Sequence, residues 1–250
     1  MERFQAARGN PALVVLEGFH ALKHATRFGA EVLAVAARKD EAVALLALEL
    51  APDVASALGA ARVVAPEVFT RLAPRPHPTG VMAIARRPAI DAGAVLAEPR
   101  PAPLVVLEDP RRPENVGAVV RVAAAAGAAG VVTLGGCDPW HPAAVRGAAG
   151  LQFALPVARV GSLDELLAVP AGGPRPLVAL DPSGEELAPG AIPPRALLVF
   201  GTERGGLSQA LLARAGRALA IPMRQGVSSL NLATAVAVTL YAWRLAPSRS

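Results

Sequence analysis

LVVLEDPRRPENVGAVVRVAAAAG, residues 104–127, runs from an apolar stretch through a proline-rich turn into a helical pattern that stops on glycine. Leu104 to Leu107 show no polar alternation, which suits a strand covered on both faces. GVVTLGG (130–136) supplies a second such strand. FALPVARV (153–160), LVALD (177–181), ALLVFG (196–201) and ALAIP (218–222) supply four more. Helices are expected over 116–127, near Gln209–Ala215 and after Asn231. Strands that alternate with helices imply an α/β domain around a mostly parallel, doubly covered sheet. Ligands of such sheets bind outside the carboxyl ends of strands. The stretches that follow Asp109, Gly201 and Pro222 are therefore the ones to inspect.

Upstream, residues 1–86 form a smaller α/β pattern. LVVLEG (13–18), EVLAVAA (31–37), ARVVA (61–65) and GVMAIA (80–85) read as strands, and Phe19–Phe28 and EAVALLALEL (41–50) as helices. Between the halves lies RRPAIDAGAVLAEPRPAP (86–103), with four prolines, expected to be an extended linker over 87–103. The second half is then 104–250.

The chain has 250 residues, enough for one large or two small domains with real cores. Only 18% of residues are charged and 53% are hydrophobic, which argues against disorder over most of the length. Lys23 and Lys39 are the only lysines against 23 arginines, and the net charge is +5. That balance suits a polyanion partner, held through phosphate contacts, though it also follows from genome composition alone. Cys137 is the single cysteine and there are four histidines, so neither a disulfide within the chain nor a metal centre is expected. No segment offers the roughly 20 apolar residues that a bilayer crossing needs, and MERFQAARGNPALVVLEG lacks a signal-peptide pattern. The expected location is the cytoplasm.

Three stretches carry candidate chemistry. In EDPRRPENVGAVVR (108–121), Asn115 can cap the helix, Gly117 permits close backbone approach, and Arg121 either snorkels to solvent or serves a ligand. In VFGTERGGLS (199–208), a strand ends on glycine, and a turn with Glu203 and Arg204 precedes Gly205 and Gly206. Backbone amides of such a loop can cradle a ligand, although a plain strand–turn–helix reads alike. In AIPMRQGVSSLNLATAV (220–236), Ser228 or Ser229 can cap the last helix. Two serines and Asn231 exceed what one cap requires, and spare donors at a strand's carboxyl end suit a binding site.

Taken together and in this order, the stretches resemble the three signature motifs of the SpoU (TrmH) family of RNA ribose methyltransferases, in the SPOUT superfamily. The first matches N-x-G-A-x-x-R at Asn115, Gly117, Ala118 and Arg121. The second matches G-x-E-x-x-G-L-S at Gly201, Glu203, Gly206, Leu207 and Ser208. The third matches I-P-M…S-L-N at Ile221, Pro222, Met223, Ser229, Leu230 and Asn231. The likeness runs from Leu104 to Leu245, and LEGFHALKHATRFGAEVLAVAA more loosely resembles the family's L30e-like substrate-binding domain. Val122, Ala124 and Ala148 stand where relatives commonly carry Thr, an acidic residue and Ser.

The resemblance implies S-adenosyl-L-methionine as methyl donor, a ribose 2′-OH as acceptor, a trefoil knot and a homodimer. It implies catalytic roles for Arg121, Asn115, Glu203, Ser229 and Asn231, and cofactor contacts from Gly201, Ile221, Met223 and Leu230. A guanidinium stays protonated, so Arg121 is expected to hold phosphate and orient the hydroxyl. Arg111, Arg112, Lys23, Arg27, Arg38 and Lys39 are the candidate RNA contacts. A 2′-OH acceptor excludes DNA. The expected substrate is 23S ribosomal RNA. A tRNA substrate, an antibiotic-resistance role and a non-catalytic RNA-binding protein are the alternatives. No G-x-G-x-x-G follows the first strand of either half, which counts against a dinucleotide enzyme.

Overall fold

The computed structural model describes residues 2–38, 40–57, 61–73, 79–168, 173–202 and 205–246. It divides into two compact units. One comprises Met1–Ala89 with Ala148–Ala154; the other comprises Ile90–Gly147 with Leu155–Ser250.

The first unit contains α1 (Glu2–Gly9), β1 (Leu13–Glu17), α2 (Phe19–Arg27), β2 (Val32–Ala37), α3 (Asp40–Leu50), β3 (Arg62–Val63), α4 (Pro66–Leu72) and β4 (Val81–Arg86). Its sheet has the order β1-β4-β2-β3, antiparallel except for β2 with β3. Phe4, Val15, Phe69, Met82 and Ile84 share its core. The 148–154 stretch joins this unit through specific backbone contacts. The His24 ring Nδ1 lies 2.9 Å from the Ala149 carbonyl oxygen. Gly150 sits so close to α2 that an added Cβ would stand 2.5 Å from the Ala21 oxygen. The sequence assigned 153–160 to one strand; in fact Leu151–Phe153 is a turn of 3-10 helix and the strand begins at Val157.

The second unit contains α5 (Ala92–Ala97), β5 (Leu104–Glu108), α6 (Pro113–Ala126), β6 (Gly130–Leu134), α7 (Pro142–Gly147), β7 (Val157–Val160), α8 (Leu163–Leu167), β8 (Leu177–Glu186), β9 (Leu197–Phe200), α9 (Gln209–Arg214), β10 (Arg217–Ala220) and α10 (Leu232–Arg244). Its six strands lie in the order β10-β8-β9-β5-β6-β7, and every pairing is parallel. The unbroken apolar runs of β5, β6 and β9 are buried along their lengths, as a sheet covered on both faces demands.

The 87–103 stretch is not the extended linker that its prolines suggested. Asp91 caps α5 by accepting from Ala94 N–H, and Val95 and Leu96 enter the core of the second unit. Arg175, only 7% exposed, then holds the segment in place. Its guanidinium donates to the carbonyls of Leu96 (2.8 Å), Ala102 (3.2 Å) and Arg195 (3.1 Å), and to that of Glu98. Burial, then the neighbouring Arg195 charge, pushes its pKa down to about 10, so it remains a cation at neutral pH.

The last helix buries the stripe Leu232, Val236, Thr239 and Leu240, and Thr239 Oγ1 donates to the Ala235 carbonyl at 2.9 Å. Arg244 donates to the Ala126 carbonyl at the end of α6, 2.7 Å away, which ties the two helices together. The opposite face of α10 leaves Val238, Tyr241 and Leu245 exposed.

Leu198 lies at the centre of β9, fully buried between β5 and β8. Leu198→Ala should cost about 3 kcal/mol through lost transfer energy and a residual cavity. Urea denaturation would measure this, and a cost below about 1 kcal/mol would mean that the sheet does not carry the fold as described.

Candidate active site

A cleft of about 360 Å³ opens at the carboxyl ends of β9 and β10, beside residues 180–182 of β8. Leu180, Phe200, Leu219, Ile221, Met223, Leu230, Leu232 and Ala235 give it apolar walls. Asp181, Thr202, Ser228 and Ser229 supply its polar side chains. Few polar groups on an apolar concavity of this size is the usual make-up of a small-molecule site.

Parallel pairing explains how distant segments meet here. Leu180 pairs with Phe200 in the last rung of the β8–β9 ladder, so Asp181, within β8, and Gly201, just past β9, follow side by side. Gly201 must be glycine: an added Cβ would stand 2.1 Å from the Gly206 carbonyl carbon. That closeness lets the turn fold back on itself. Thr202 N–H donates to the Gly206 carbonyl (3.1 Å) and Gly206 N–H donates to the Thr202 carbonyl (3.2 Å). Thr202 Oγ1 accepts from Gly205 N–H at 2.9 Å. Ser208 then caps α9 by accepting from Leu211 N–H, and its own N–H donates to Glu108 Oε2 at 2.7 Å. The second sequence motif is thus anchored to the end of β5.

The third motif crosses the mouth of the cleft as an irregular segment before α10. Asn231, not Ser228 or Ser229, caps that helix: its side-chain oxygen accepts from Ala233 N–H at 2.9 Å. The capping oxygen expected at the reaction centre is therefore committed to the helix end. Ser228 and Ser229 are released from capping and line the cleft.

Asn115 and Arg121 do not line this cleft. α6 starts at Pro113, with Arg112 as its N-cap, so Asn115 lies inside the first turn and does not cap. Proline with its fixed φ is a natural first residue, which moves the start ahead of the asparagine. Asn115 is half-buried and Arg121 is exposed. Of the expected cofactor contacts, Gly201, Ile221, Met223 and Leu230 all line the cleft, as does Ser229. Glu203 and Lys39 lie outside the described residues.

The other basic candidates are spread over both units. Arg27 makes a two-pronged pair with Asp53 at 2.7 and 2.6 Å. The Arg38 guanidinium lies 5.9 Å from the Phe69 ring centroid. Arg111 stands 3.9 Å from Asp109, Arg112 is exposed, and Lys23 is half-buried on α2. Burial, then Asp138 and Asp109, push the Cys137 thiol up, so it is a poor thiolate. Among the described residues no cluster of His, Cys, Asp and Glu could hold a metal ion, and no helix is long and apolar enough to cross a membrane.

Sequence reasoning missed Asp181, although LVALD was read as a strand whose end it marks. It also missed the Glu108–Ser208 contact, which spans 100 residues and leaves no local signal. Gly201→Ala should open the turn by steric conflict with Gly206. The expected result is a loss of about 2 kcal/mol or more, for a main chain forced aside, and faster hydrogen exchange at the Gly206 amide. Unchanged exchange would refute the packing.

The chain was then compared with known proteins. Residues 102–241 match the model of the SpoU rRNA methylase family. A 23S rRNA (uridine(2479)-2′-O)-methyltransferase from Streptomyces viridochromogenes is 34% identical over 187 residues, 71% of this chain and 64% of that protein. The chain therefore spans just under two thirds of that relative's length. The crystal structure of the SpoU methyltransferase AviRb from Streptomyces viridochromogenes, in complex with AdoMet, superposes with a TM-score of 0.76 at 26% identity, covering 96% of this chain and 95% of that one. An AdoMet-bound rRNA methyltransferase from Sinorhizobium meliloti superposes with a TM-score of 0.74 at 25% identity, covering 95% of this chain and 89% of that one. With the family model covering more than half of its length, and all three motifs on one parallel sheet, the chain belongs to the SpoU rRNA methylase family.

Proposed function

We propose that this protein is an S-adenosylmethionine-dependent RNA methyltransferase that methylates a ribose 2′-OH, with 23S ribosomal RNA as substrate. The observation that carries the reading is the cleft itself. It gathers Gly201, Ile221, Met223, Ser229 and Leu230, which come from the second and third motifs, past the carboxyl ends of β9 and β10, the two strands that flank β8. The residues present fit the cofactor. Apolar walls suit an adenine ring, the turn closed by Gly201 and Gly206 brings backbone groups to the rim, and Thr202, Ser228 and Ser229 offer hydroxyls. When bound, the cofactor supplies an electrophilic methyl group on a sulfonium.

The chain's own task is alignment, which can contribute several kcal/mol. Gly201, Ile221, Met223 and Leu230 hold the donor. Ser229 faces the cleft and orients the acceptor hydroxyl. Arg121 stands on α6, outside the cleft, which suits a grip on the phosphate beside the target ribose and not a contact with the donor. Asn115, six residues earlier on the same helix, orients Arg121 or the RNA. Asn231 serves by fixing the start of α10 behind Ser229. The first unit acts as an L30e-like RNA-binding domain through Lys23, Arg27, Arg38 and Lys39, while Arg111 and Arg112 meet phosphate beside the first motif. A homodimer forms over the exposed α10 face of Val238, Tyr241 and Leu245. The passage of 221–231 into α10 closes a trefoil knot, and the reaction belongs in the cytoplasm.

Two experiments test this. Incubation with methyl-labelled S-adenosylmethionine should label unmodified 23S ribosomal RNA at one alkali-resistant linkage and leave bulk tRNA unlabelled. Label in tRNA alone would move the substrate assignment, and label in neither would sink the catalytic reading. Arg121→Ala should lower turnover at least a hundredfold, as loss of a positioning group does, with cofactor affinity unchanged. Equal turnover in that variant would remove Arg121 from the mechanism.

A further inference from the structure

Asp181 is the only carboxylate among the described residues of the cleft, and those residues include no lysine, arginine or histidine. Its position is built by an irregularity in β8. Val178 and Ala179 pair with Arg217 and Ala218, but the next β10 residues, Leu219 and Ala220, pair with Glu185 and Glu186. Residues 180–184 are thereby displaced from the β10 ladder. Gly184 makes the return possible, because an added Cβ would lie 2.5 Å from the Ala218 carbonyl carbon. The displaced loop delivers Asp181 into the cleft and then fixes it. Asp181 Oδ1 accepts from both Ser183 N–H (2.9 Å) and Ser183 Oγ (2.6 Å). Oδ2 has no hydrogen-bond or ion-pair partner among the described residues.

A half-buried carboxylate beside Leu180, Phe200 and Leu219, with no cation among the described residues of the cleft, favours a positive charge brought in by a ligand. We propose that Asp181 is the counter-charge for a cationic group of the bound methyl donor, and so a cofactor-binding residue outside the three motifs. This rests on the S-adenosylmethionine reading above. The donor carries two such groups, the sulfonium and the α-ammonium. Its demethylated product keeps only the ammonium, and 5′-methylthioadenosine keeps neither.

Isothermal titration of the full chain with these three compounds separates the possibilities. Asp181→Asn preserves the acceptor for Ser183 and removes the charge. It should weaken S-adenosylmethionine by about tenfold, as loss of a charged partner does, and leave 5′-methylthioadenosine within about twofold, which also reports an intact cleft. A tenfold loss for S-adenosylhomocysteine as well assigns the ammonium; no loss assigns the sulfonium. Independently of any variant, higher salt should weaken S-adenosylmethionine binding to the unaltered chain more than methylthioadenosine binding. Unchanged S-adenosylmethionine affinity in Asp181→Asn, or an equal fall for methylthioadenosine, overturns the assignment of Asp181 alone. Failure of the unaltered chain to bind S-adenosylmethionine overturns the cofactor reading and this inference with it.

Discussion

The contact on which the site depends is between backbones: Gly201 lies against Gly206 where a side chain has no room. Two reciprocal hydrogen bonds between Thr202 and Gly206 follow from that closeness. So does the position of Leu207, which is buried and starts the approach to α9. Side-chain packing tolerates compensation by neighbouring rotamers, whereas two main chains in contact have no such freedom. Thr202 and Gly206 are thereby held together at the rim of the cleft. Glu108, at the end of strand β5, anchors the residues that follow by accepting from Ser208 N–H.

A second constraint works at the other end of the sheet. Arg175 donates to four carbonyls, three from 96–102 and that of Arg195. The charge is expensive to bury, and its hydrogen bonds offset that cost. The result is that 90–103 enters the second unit as an ordered segment, with α5 covering β7 and Leu104 placed to begin the central strand.

This explains what could be read from the sequence and what could not. The α/β class and the parallel sheet were legible because unbroken apolar strands and intervening helices are local patterns. Residues 201, 221, 223, 229 and 230 were legible because their motif spacing is local too, and all five line the cleft. Four prolines in 87–103 suggested extension, but the cation that orders the segment lies more than 70 residues away at Arg175. The helix caps differ from expectation for similar reasons: Asn115 does not cap α6, and Asn231 caps α10. Proline at position 113 starts α6 before Asn115 is reached, and the last serine lies two residues ahead of the cap that α10 uses. The attachment of 148–154 to α2 rests on a close backbone contact at Gly150, which no composition or periodicity announces.

The division of labour between cleft and helix follows from the same topology. Residues 180–182 of β8 and the residues that follow β9 and β10 converge because β8 is hydrogen-bonded to both other strands, and they form a concavity for a small molecule. Arg121 is on the helix that leaves β5, and it emerges on a solvent-exposed surface beyond that concavity. A small molecule filling the cleft does not need Arg121, whereas a long polyanion reaching toward the cleft can meet it. The two places differ in kind: an apolar cleft beside the strand ends, and an exposed arginine on the α6 surface. Ser229 is the motif residue that shares a feature of each. It lines the pocket yet stays exposed to solvent, two residues ahead of the Asn231 cap that starts α10.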